Sequence, residues 1–259
     1  MNNKFSRIIT HSGTHHADEV LAIATIFEFV GELPVERKNN VNKEEQECPE
    51  TLVLDIGGRL EPEKGNFDHH QNGHVLATNM LVLDHFCKDE KLKVILRKKL
   101  FAYVDAVDRG IAPERVEKDF LEPDFNSLIR WTNYIDNGFE KAVKIARLVL
   151  SAAIATAQQS IKSEAIWKSI EKQGKIAVQY TTEPVVCWHE LAQTDGILLL
   201  ITPNNRIPGA YQLMSRDTKL LGIPHIEGQL YNHPSGFLAV YPDFSSTLKH
   251  AVEIINDYV

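Results

Sequence analysis

Three short apolar segments of this chain each lead directly into a cluster of polar residues. The clusters are His11-Ser12-Gly13-Thr14-His15-His16-Ala17-Asp18-Glu19 after Ile8-Ile9-Thr10, Asp55-Ile56-Gly57-Gly58 after Leu52-Val53-Leu54, and Asp68-His69-His70-Gln71 after a shorter approach through Phe67. Short apolar runs with β-branched residues are typical of buried strands. In an open α/β sheet, ligands bind beyond the carboxyl ends of the strands. The pattern therefore predicts that the three clusters meet at one site.

Helical periodicity between these strands favours a βαβ arrangement. Residues 16–30 place apolar side chains on one broad helical face, and Gly31 and Pro34 close that helix. The other elements predicted in this half are a short strand at 35–38 and helices at 75–86 and 91–107. Alternating strands and helices predict an α/β fold with a mainly parallel sheet in the N-terminal domain.

The second half of the chain shows a different pattern of predicted secondary structure. Residues 137–171 form a long helical pattern that we expect to be split into two helices, and strand-like segments begin after Gly174. These strand-like segments are 175–180, 184–188, 196–201, 210–214 and 236–241, and a last helix is predicted at 245–258. We therefore expect a domain that carries the three clusters, with a helical extension, over 1–174 and a smaller α+β C-terminal domain over 175–259.

Composition excludes several classes of protein. The chain has 259 residues, a net charge of -7 and 43% hydrophobic residues, so it can bury a substantial core but is poorly suited to coat duplex nucleic acid. No apolar run reaches the roughly 18 residues of a membrane helix, and residues 1–5 lack the apolar core of a secretory signal. The three cysteines are widely spaced and are expected to be reduced. These features predict a cytoplasmic protein that does not associate with membranes.

The residue types in the clusters are those that bind divalent cations. Imidazoles and carboxylates hold first-row ions while leaving positions open for water and substrate, and a set without cysteine favours Mn²⁺ or Mg²⁺ over structural zinc. His11 and His16 can reach one ion, and Asp55 at a central strand end is the natural bridge between two ions roughly 3.5–4 Å apart. Asp105 and Asp108 lie three residues apart, on one face if helical, and either can complete the second ion's ligands.

These motifs resemble the DHH phosphoesterase superfamily, which includes RecJ-type exonucleases and family II inorganic pyrophosphatases, and more closely the Myg-type metal-dependent hydrolases. The resemblance rests on the three clusters and continues in two later segments. These are Asp105-Ala106-Val107-Asp108-Arg109-Gly110-Ile111 and His233-Pro234-Ser235-Gly236-Phe237. It implies a DHH-like fold for the N-terminal domain and a C-terminal domain that binds substrate.

The resemblance also implies a role for each site residue. One Mn²⁺-like ion would be held by His11, His16 and Asp55. The other would be held by Asp18, Asp55, His69 and either Asp105 or Asp108. Asp68 would orient a ligand histidine, and His70 would contact the substrate phosphate. The predicted substrate-binding residues are His15, Arg109, His233, Ser235 and Gly236, with pairing to Asp105 as the alternative for Arg109.

The predicted activity is that of a divalent-metal-dependent phosphoesterase. It would hydrolyse phosphodiester bonds of short RNA or DNA, as an exonuclease does, or of small nucleotides, with a metal-activated hydroxide as nucleophile. Its partner would be a phosphate-containing small molecule or the end of a single-stranded nucleic acid, and a homodimer is compatible with the sequence. The alternatives are hydrolysis of pyrophosphate or another small anhydride, and a nucleotide-binding sensor that does not hydrolyse its ligand.

Overall fold

The computed structural model describes residues 4–112 and 124–258, so the N-terminal segment 1–5, considered above for its composition, is described only from residue 4. The chain divides into two units, residues 1–157 and 158–259, and each unit contains one sheet. The architecture is mixed α/β. Within the described residues, no helix combines the length and the apolar composition that crossing a membrane requires.

The sheet of the first unit is mixed. Its strands are β1 (Arg7–His11), β2 (Val35–Lys38), β3 (Thr51–Leu54), β4 (Leu60–Glu61) and β5 (Asn66–Phe67), in the order β2-β1-β3-β5-β4. The β1–β2, β1–β3 and β3–β5 pairs are parallel, as expected, whereas β4 and β5 are antiparallel. The chain returns between these last two strands through a 3₁₀ turn at Pro62–Lys64, which is too short for a parallel crossover.

The helices that begin in the first unit accompany this sheet, and most of them share its hydrophobic core. They are α1 (Ala17–Phe29), α2 (Lys43–Glu47), α3 (Thr78–Phe86), α4 (Glu90–Leu96), α5 (Ala102–Asp108), α6 (Phe125–Thr132) and α7 (Gly138–Ser169), with a π-helical segment, Arg97–Phe101, joining α4 to α5. Strand residues Ile8, Leu52 and Leu54 are fully buried in a core that they share with α1 and α3. Each such side chain contributes about 1.5–3 kcal/mol on burial, which holds the strand ends in place.

Helix α7 is continuous, so the prediction of two helices over 137–171 is wrong. No glycine or proline interrupts its sequence after Gly138, and nothing therefore breaks the backbone hydrogen bonds. The division between the two units falls inside this helix. A boundary at 174/175, as predicted, would instead cut the hairpin in which Glu171–Gln173 pairs with Ile176–Val178.

The second unit is built on a six-stranded mixed sheet with two further helices. Its strands are β6 (Glu171–Gln173), β7 (Ile176–Val178), β8 (Leu199–Pro203), β9 (Tyr211–Ser215), β10 (Tyr231–Asn232) and β11 (Leu238–Tyr241), in the order β10-β11-β9-β8-β7-β6, and its helices are α8 (Trp188–Thr194) and α9 (Phe244–Tyr258). The predicted strand at 184–188 is wrong. Cys187 has a left-handed backbone (φ 61°), which a strand cannot contain, and buried Trp188 begins α8.

Candidate metal centre

The turn from β1 into α1 brings two histidines and a glutamate together. His11 ends β1, and His16 is the N-cap residue of α1. The backbone N–H of His16 donates to both carboxylate oxygens of Glu19, at 2.8 and 3.0 Å, as in a capping box. Glu19 is fully buried, and its Oε1 lies 3.2 Å from Nε2 of His11. The helix start therefore fixes a carboxylate against an imidazole.

Asp55 lies at the centre of the site with its two carboxylate oxygens facing different neighbours. Its Oδ2 is 3.5 Å from Nε2 of His11, whereas its Oδ1 is 3.2 Å from Nε2 of His69. The hydroxyl of Thr78, at the start of α3, donates to Oδ1 at 3.3 Å. Asp55 follows β3 directly and has a left-handed backbone (φ 57°), which is uncommon outside glycine. This conformation turns the carboxylate between two imidazoles.

A third set of ligand atoms surrounds His69. Its Nε2 lies 3.1 Å from Asp108 Oδ2 and 3.9 Å from Asp18 Oδ2. Asp18 is held rigidly, because its carboxylate accepts the backbone N–H groups of Thr78 and Asn79 at 3.1 and 2.7 Å. The start of α1, the start of α3 and the end of α5 therefore converge here.

Three overlapping groups of these side chains could each hold a cation, with all ligand atoms of a group within 4.8 Å of one another. They are His11, His16, Glu19 and Asp55; Asp55, His69 and His70; and Asp18, His69 and Asp108. Asp55 is shared by the first two groups, and His69 is shared by the last two. The three groups are thus linked through shared residues, and Asp55 lies between His11 and His69.

Carboxylates raise the pKa values of both inner imidazoles. Asp55 and then Glu19 raise the pKa of His11 to about 10, and Asp108 and then Asp55 raise the pKa of His69 to about 10. Burial alone would raise the pKa of Asp55, but the imidazoles of His11 and His69 outweigh burial and hold this pKa below its usual range. In the absence of a cation, protons on the imidazoles balance part of the negative charge.

Burial disfavours the charged forms of the other two acids, Asp18 and Glu19, and a bound cation would offset this effect. Burial raises the pKa of Asp18 well above its usual value, and the charges of Asp55 and Asp108 raise it further. Burial likewise raises the pKa of Glu19. Nε2 of His69 is buried, and although carboxylate oxygens lie close to it, none of the described residues provides it with a hydrogen bond. An orphaned imidazole nitrogen among buried acids fits a bound divalent cation.

His70 lies at the edge of this group and is held by Asp68. Oδ1 of Asp68 lies 2.7 Å from Nδ1 of His70 and accepts the His70 backbone N–H at 3.0 Å. Oδ2 of Asp68 accepts the backbone N–H of Gly58 at 2.6 Å. The side chain of His70 is 62% exposed, whereas Asp68 is buried. The histidine that Asp68 orients is therefore the exposed one.

The two aspartates of α5 differ in the groups that they contact. Asp105 accepts the backbone N–H of Ala77 at 2.7 Å and forms a two-point ion pair with Arg109 at 2.9 and 2.6 Å. Asp108 is the one that lies beside His69. Asp105 is therefore engaged by Ala77 and Arg109, so Arg109 makes the pairing expected as its alternative, and Asp108 is the better-placed candidate ligand.

His15 is buried and hydrogen-bonded within the protein, and it also lines the cavity beside the metal centre. It is 3% exposed, and its Nε2 lies 2.6 Å from the Thr132 hydroxyl. Its backbone N–H and carbonyl both bond to the side chain of Asn133 at 2.9 Å. Burial and then the charge of Arg37 lower the pKa of His15 to about 4, so the ring is neutral. These contacts fix the loop that carries His16.

The other three predicted substrate residues lie in the second unit and form one tight turn. Nδ1 of His233 lies 2.9 Å from Oγ of Ser235, and the backbone N–H of Gly236 donates to the carbonyl of His233 at 2.8 Å. Gly236 has a φ of 70°, and a Cβ there would lie 3.1 Å from the backbone nitrogen of Ile223. Glycine is thus required for the turn, and contact with substrate stays a prediction.

Glu19 is a candidate ligand that the sequence analysis did not identify. Negative charge in the first turn of a helix has an ordinary explanation in the helix dipole. The available signal was its spacing of three residues from His16, which places the carboxylate of a capping box at the same helix start as a histidine ligand.

Comparison with known proteins identifies relatives of the segment that carries these residues. Residues 7–83 match the MYG1_exonuc family model, described as an uncharacterised protein family (UPF0160). The chain is similar to the MYG1 protein of Saccharomyces cerevisiae, with 30% identity over 153 residues that cover 48% of this chain and 44% of that protein. It is also similar to the MYG1 exonuclease of Bos taurus, with 39% identity over 70 residues that cover 25% of this chain and 17% of that protein.

The chain thus spans less than half the length of the curated relatives it matches. A crystal structure of RecJ in complex with Mg²⁺ from Thermus thermophilus aligns with 97% of this chain and 49% of that chain at 11% identity, but its TM-score of 0.30 is too low to establish a common fold. The family match includes His11, His16, Asp18, Asp55 and His69 within residues 7–83. Over residues 7–83, the chain is similar to the Myg-type family, as its motifs predicted.

Proposed function

We propose that this protein is a divalent-metal-dependent phosphoesterase that hydrolyses phosphodiester bonds in short single-stranded nucleic acids or small nucleotides. The observation that carries the proposal is the position of Asp55, whose two oxygens face His11 on one side and His69 on the other. A carboxylate shared between two sets of ligands suits two neighbouring cations, Mn²⁺ or Mg²⁺ by the chemistry of the donors.

The ligand groups on both sides of Asp55 are compatible with two bound cations. His11, His16 and Glu19 would hold one ion together with Asp55, and Asp18, His69 and Asp108 would hold the other with the same aspartate. A pair of divalent cations supplies Lewis acidity to a phosphoryl group and lowers the pKa of water. The exposed side chains of His16 and His70 leave a side of the centre open to a ligand.

His70 is suited to act on the substrate itself. Because Asp68 holds Nδ1, the exposed ring of His70 is fixed in orientation, and Nε2 is the nitrogen that Asp68 does not bind. A proton at Nε2 would let it donate a hydrogen bond to a phosphoryl oxygen or to the leaving oxygen. The buried carboxylate of Asp68 acts through this ring and is a positioning residue.

The relatives support the same reaction class. One similar protein, from Bos taurus, bears the name MYG1 exonuclease. The proposal transfers only hydrolysis of phosphodiester bonds to this chain, since the alignment covers a small part of that relative.

The deciding experiment compares wild-type protein with Asp55→Asn in Mn²⁺, using a labelled oligonucleotide and inorganic pyrophosphate as substrates. Asparagine tolerates the left-handed backbone at this position, so the variant should fold. We expect oligonucleotide cleavage by the wild type and a loss of at least about 100-fold in the variant, because the amide cannot bridge two ions. Undiminished cleavage by Asp55→Asn would remove the bridge, and turnover of pyrophosphate alone would replace the phosphodiesterase with an anhydride hydrolase.

A further inference from the structure

A cavity of about 410 Å³ in the first unit shares part of its wall with the metal centre. Three of its lining residues, His16, Asp18 and Asp108, belong to the groups described above. The cavity is as large as typical small-ligand pockets of about 300–1,000 Å³. An inorganic phosphate group would fill little of it, so the space beyond the metal ligands can hold another part of a substrate.

The rest of the wall comes from α5 and α6 and has a different chemistry. It includes Tyr103, Asn126, Ser127 and Arg130. The Tyr103 hydroxyl donates to Oδ2 of Asp124 at 3.3 Å, and the backbone N–H of Ser127 donates to Oδ1 of the same residue at 2.8 Å. The phenol ring is thus tied to the start of α6 while part of it stays exposed.

Asn126 provides a second, independent observation. Its side-chain amide nitrogen is buried, and none of the described residues accepts a hydrogen bond from it. A buried amide donor without an acceptor is costly, since it has left water without gaining a partner. A ligand in this cavity that offers a carbonyl oxygen or ring nitrogen to Asn126 would remove that cost.

The wall selects a neutral, flat and polar group rather than a second anion. Asp124 and Arg130 both line this part of the wall, so their opposite charges offset each other and a bare phosphate gains no net attraction there. A nucleobase can stack on an aromatic ring and accept a hydrogen bond from an amide at its edge. We propose that this cavity, lined by Tyr103 and Asn126, binds the base of the nucleotide whose phosphate lies at the metal centre. The inference rests on the proposed function and adds the part of the substrate that would determine base preference.

Binding tests the subsite without turnover. Calorimetric titration in Mn²⁺ would compare adenosine, cytidine and uridine monophosphates with ribose 5-phosphate, which keeps the phosphate and sugar but lacks the base. We expect at least one nucleotide to bind about tenfold or more tightly than ribose 5-phosphate. Tyr103→Leu and Asn126→Ala should each bring that ratio close to one, whereas Tyr103→Phe, which keeps the ring, should retain it.

A matched control uses Tyr134, which is 83% exposed and does not line the cavity. Tyr134→Leu removes a tyrosine from the surface of the same unit and should leave the ratio of nucleotide to ribose 5-phosphate affinity unchanged. Equal binding of ribose 5-phosphate and all three nucleotides by the wild type would overturn the subsite, even if a variant failed to fold. An equal effect of Tyr134→Leu and Tyr103→Leu would overturn it as well.

Hydrolysis separates failure of this inference from failure of the proposed function. Oligonucleotides with a normal or an abasic terminal nucleotide would be cleaved at different rates if the base is bound, with a ratio of about ten in the wild type. Equal cleavage would overturn the base subsite and leave the phosphodiesterase standing. Absence of all cleavage, with the nucleotide binding preference intact, would reject the phosphodiesterase and keep the subsite.

Discussion

At the scale of single residues, Asp55 shows how a backbone conformation creates a ligand position. A non-glycine residue with φ near 57° carries a conformational cost of order 1 kcal/mol, which must be offset by its surroundings. This conformation places one carboxylate oxygen 3.5 Å from His11 and the other 3.2 Å from His69. An extended backbone at this residue would continue β3 and point the side chain elsewhere.

Glu19 is the residue with two separable roles. It accepts the backbone N–H of His16, which stabilises the start of α1, and it lies 3.2 Å from His11 in the first group of ligands. We predict that Glu19→Gln retains most of the stability of the metal-free protein, since the amide oxygen can still accept the N–H. Its affinity for Mn²⁺ should fall about tenfold or more, because one charged ligand is lost.

A matched control for this prediction exists in α2. Glu45 has the same capping-box position relative to Asn42, whose backbone N–H it accepts at 3.0 Å, but it belongs to none of the ligand groups. Glu45→Gln should therefore leave Mn²⁺ affinity unchanged in the same calorimetric titration. If both variants lower the affinity equally, the effect comes from helix capping and Glu19 is not a ligand.

At the scale of elements, the strand ends could be predicted from sequence but the choice of ligand within a helix could not. The apolar runs that end at His11 and Asp55 mark buried parallel strands, and the structure places both residues at one sheet edge. Asp105 and Asp108 present the same residue type on the same helix. What separates them is the backbone N–H of Ala77, which reaches Asp105 through long-range packing, together with the local ion pair from Arg109 four residues further on.

Two other sequence patterns were ambiguous, because each is compatible with two different structures or roles. The apolar segment 184–188 fits a strand by composition, but Cys187 adopts a left-handed backbone that only tertiary structure reveals. A charged residue in the first turn of a helix, such as Glu19, is explained equally well by the helix dipole and by metal binding. Burial distinguishes these readings, and burial is a property of the folded chain.

The two aspartates of α5 give a prediction at this scale. Asp105→Ala should lower the free energy of unfolding of the metal-free protein by about 2–3 kcal/mol, because it leaves the buried N–H of Ala77 and the charge of Arg109 without their acceptor. Asp108→Ala should change that free energy little, since it also relieves the crowding of carboxylates around Asp18. Urea denaturation with and without Mn²⁺ measures both effects.

Stabilisation by Mn²⁺ should rank the same two variants in the opposite order. Mn²⁺ should still stabilise Asp105→Ala, whereas Asp108→Ala should lose most of the stabilisation because a ligand beside His69 is gone. Loss of the stabilisation by Mn²⁺ in Asp105→Ala, with full stabilisation of Asp108→Ala, would instead assign the ligand role to Asp105.

At the scale of the whole molecule, all the candidate ligands among the described residues lie in one unit. The three groups that could hold a cation fall between His11 and Asp108, inside residues 1–157. They come from the β1–α1 turn, the end of β3, the segment after β5 and the end of α5. Ligands so far apart in sequence can bind a cation only after these elements have assembled, so metal binding and folding of this unit are coupled.

This coupling predicts where Mn²⁺ slows hydrogen exchange. Peptides that cover residues 11–19, 55–70 and 77–108 should gain protection when Mn²⁺ replaces a chelator, since the ion stabilises the elements that hold its ligands. Peptides from residues 171–258 should exchange at the same rate in both conditions, because none of the candidate ligands lies there. Exchange followed by mass spectrometry measures both regions in one sample, and Asp55→Asn supplies a folded protein without the bridge. Protection that arises only in residues 171–258, or that persists unchanged in Asp55→Asn, would place the cation somewhere other than between His11 and His69.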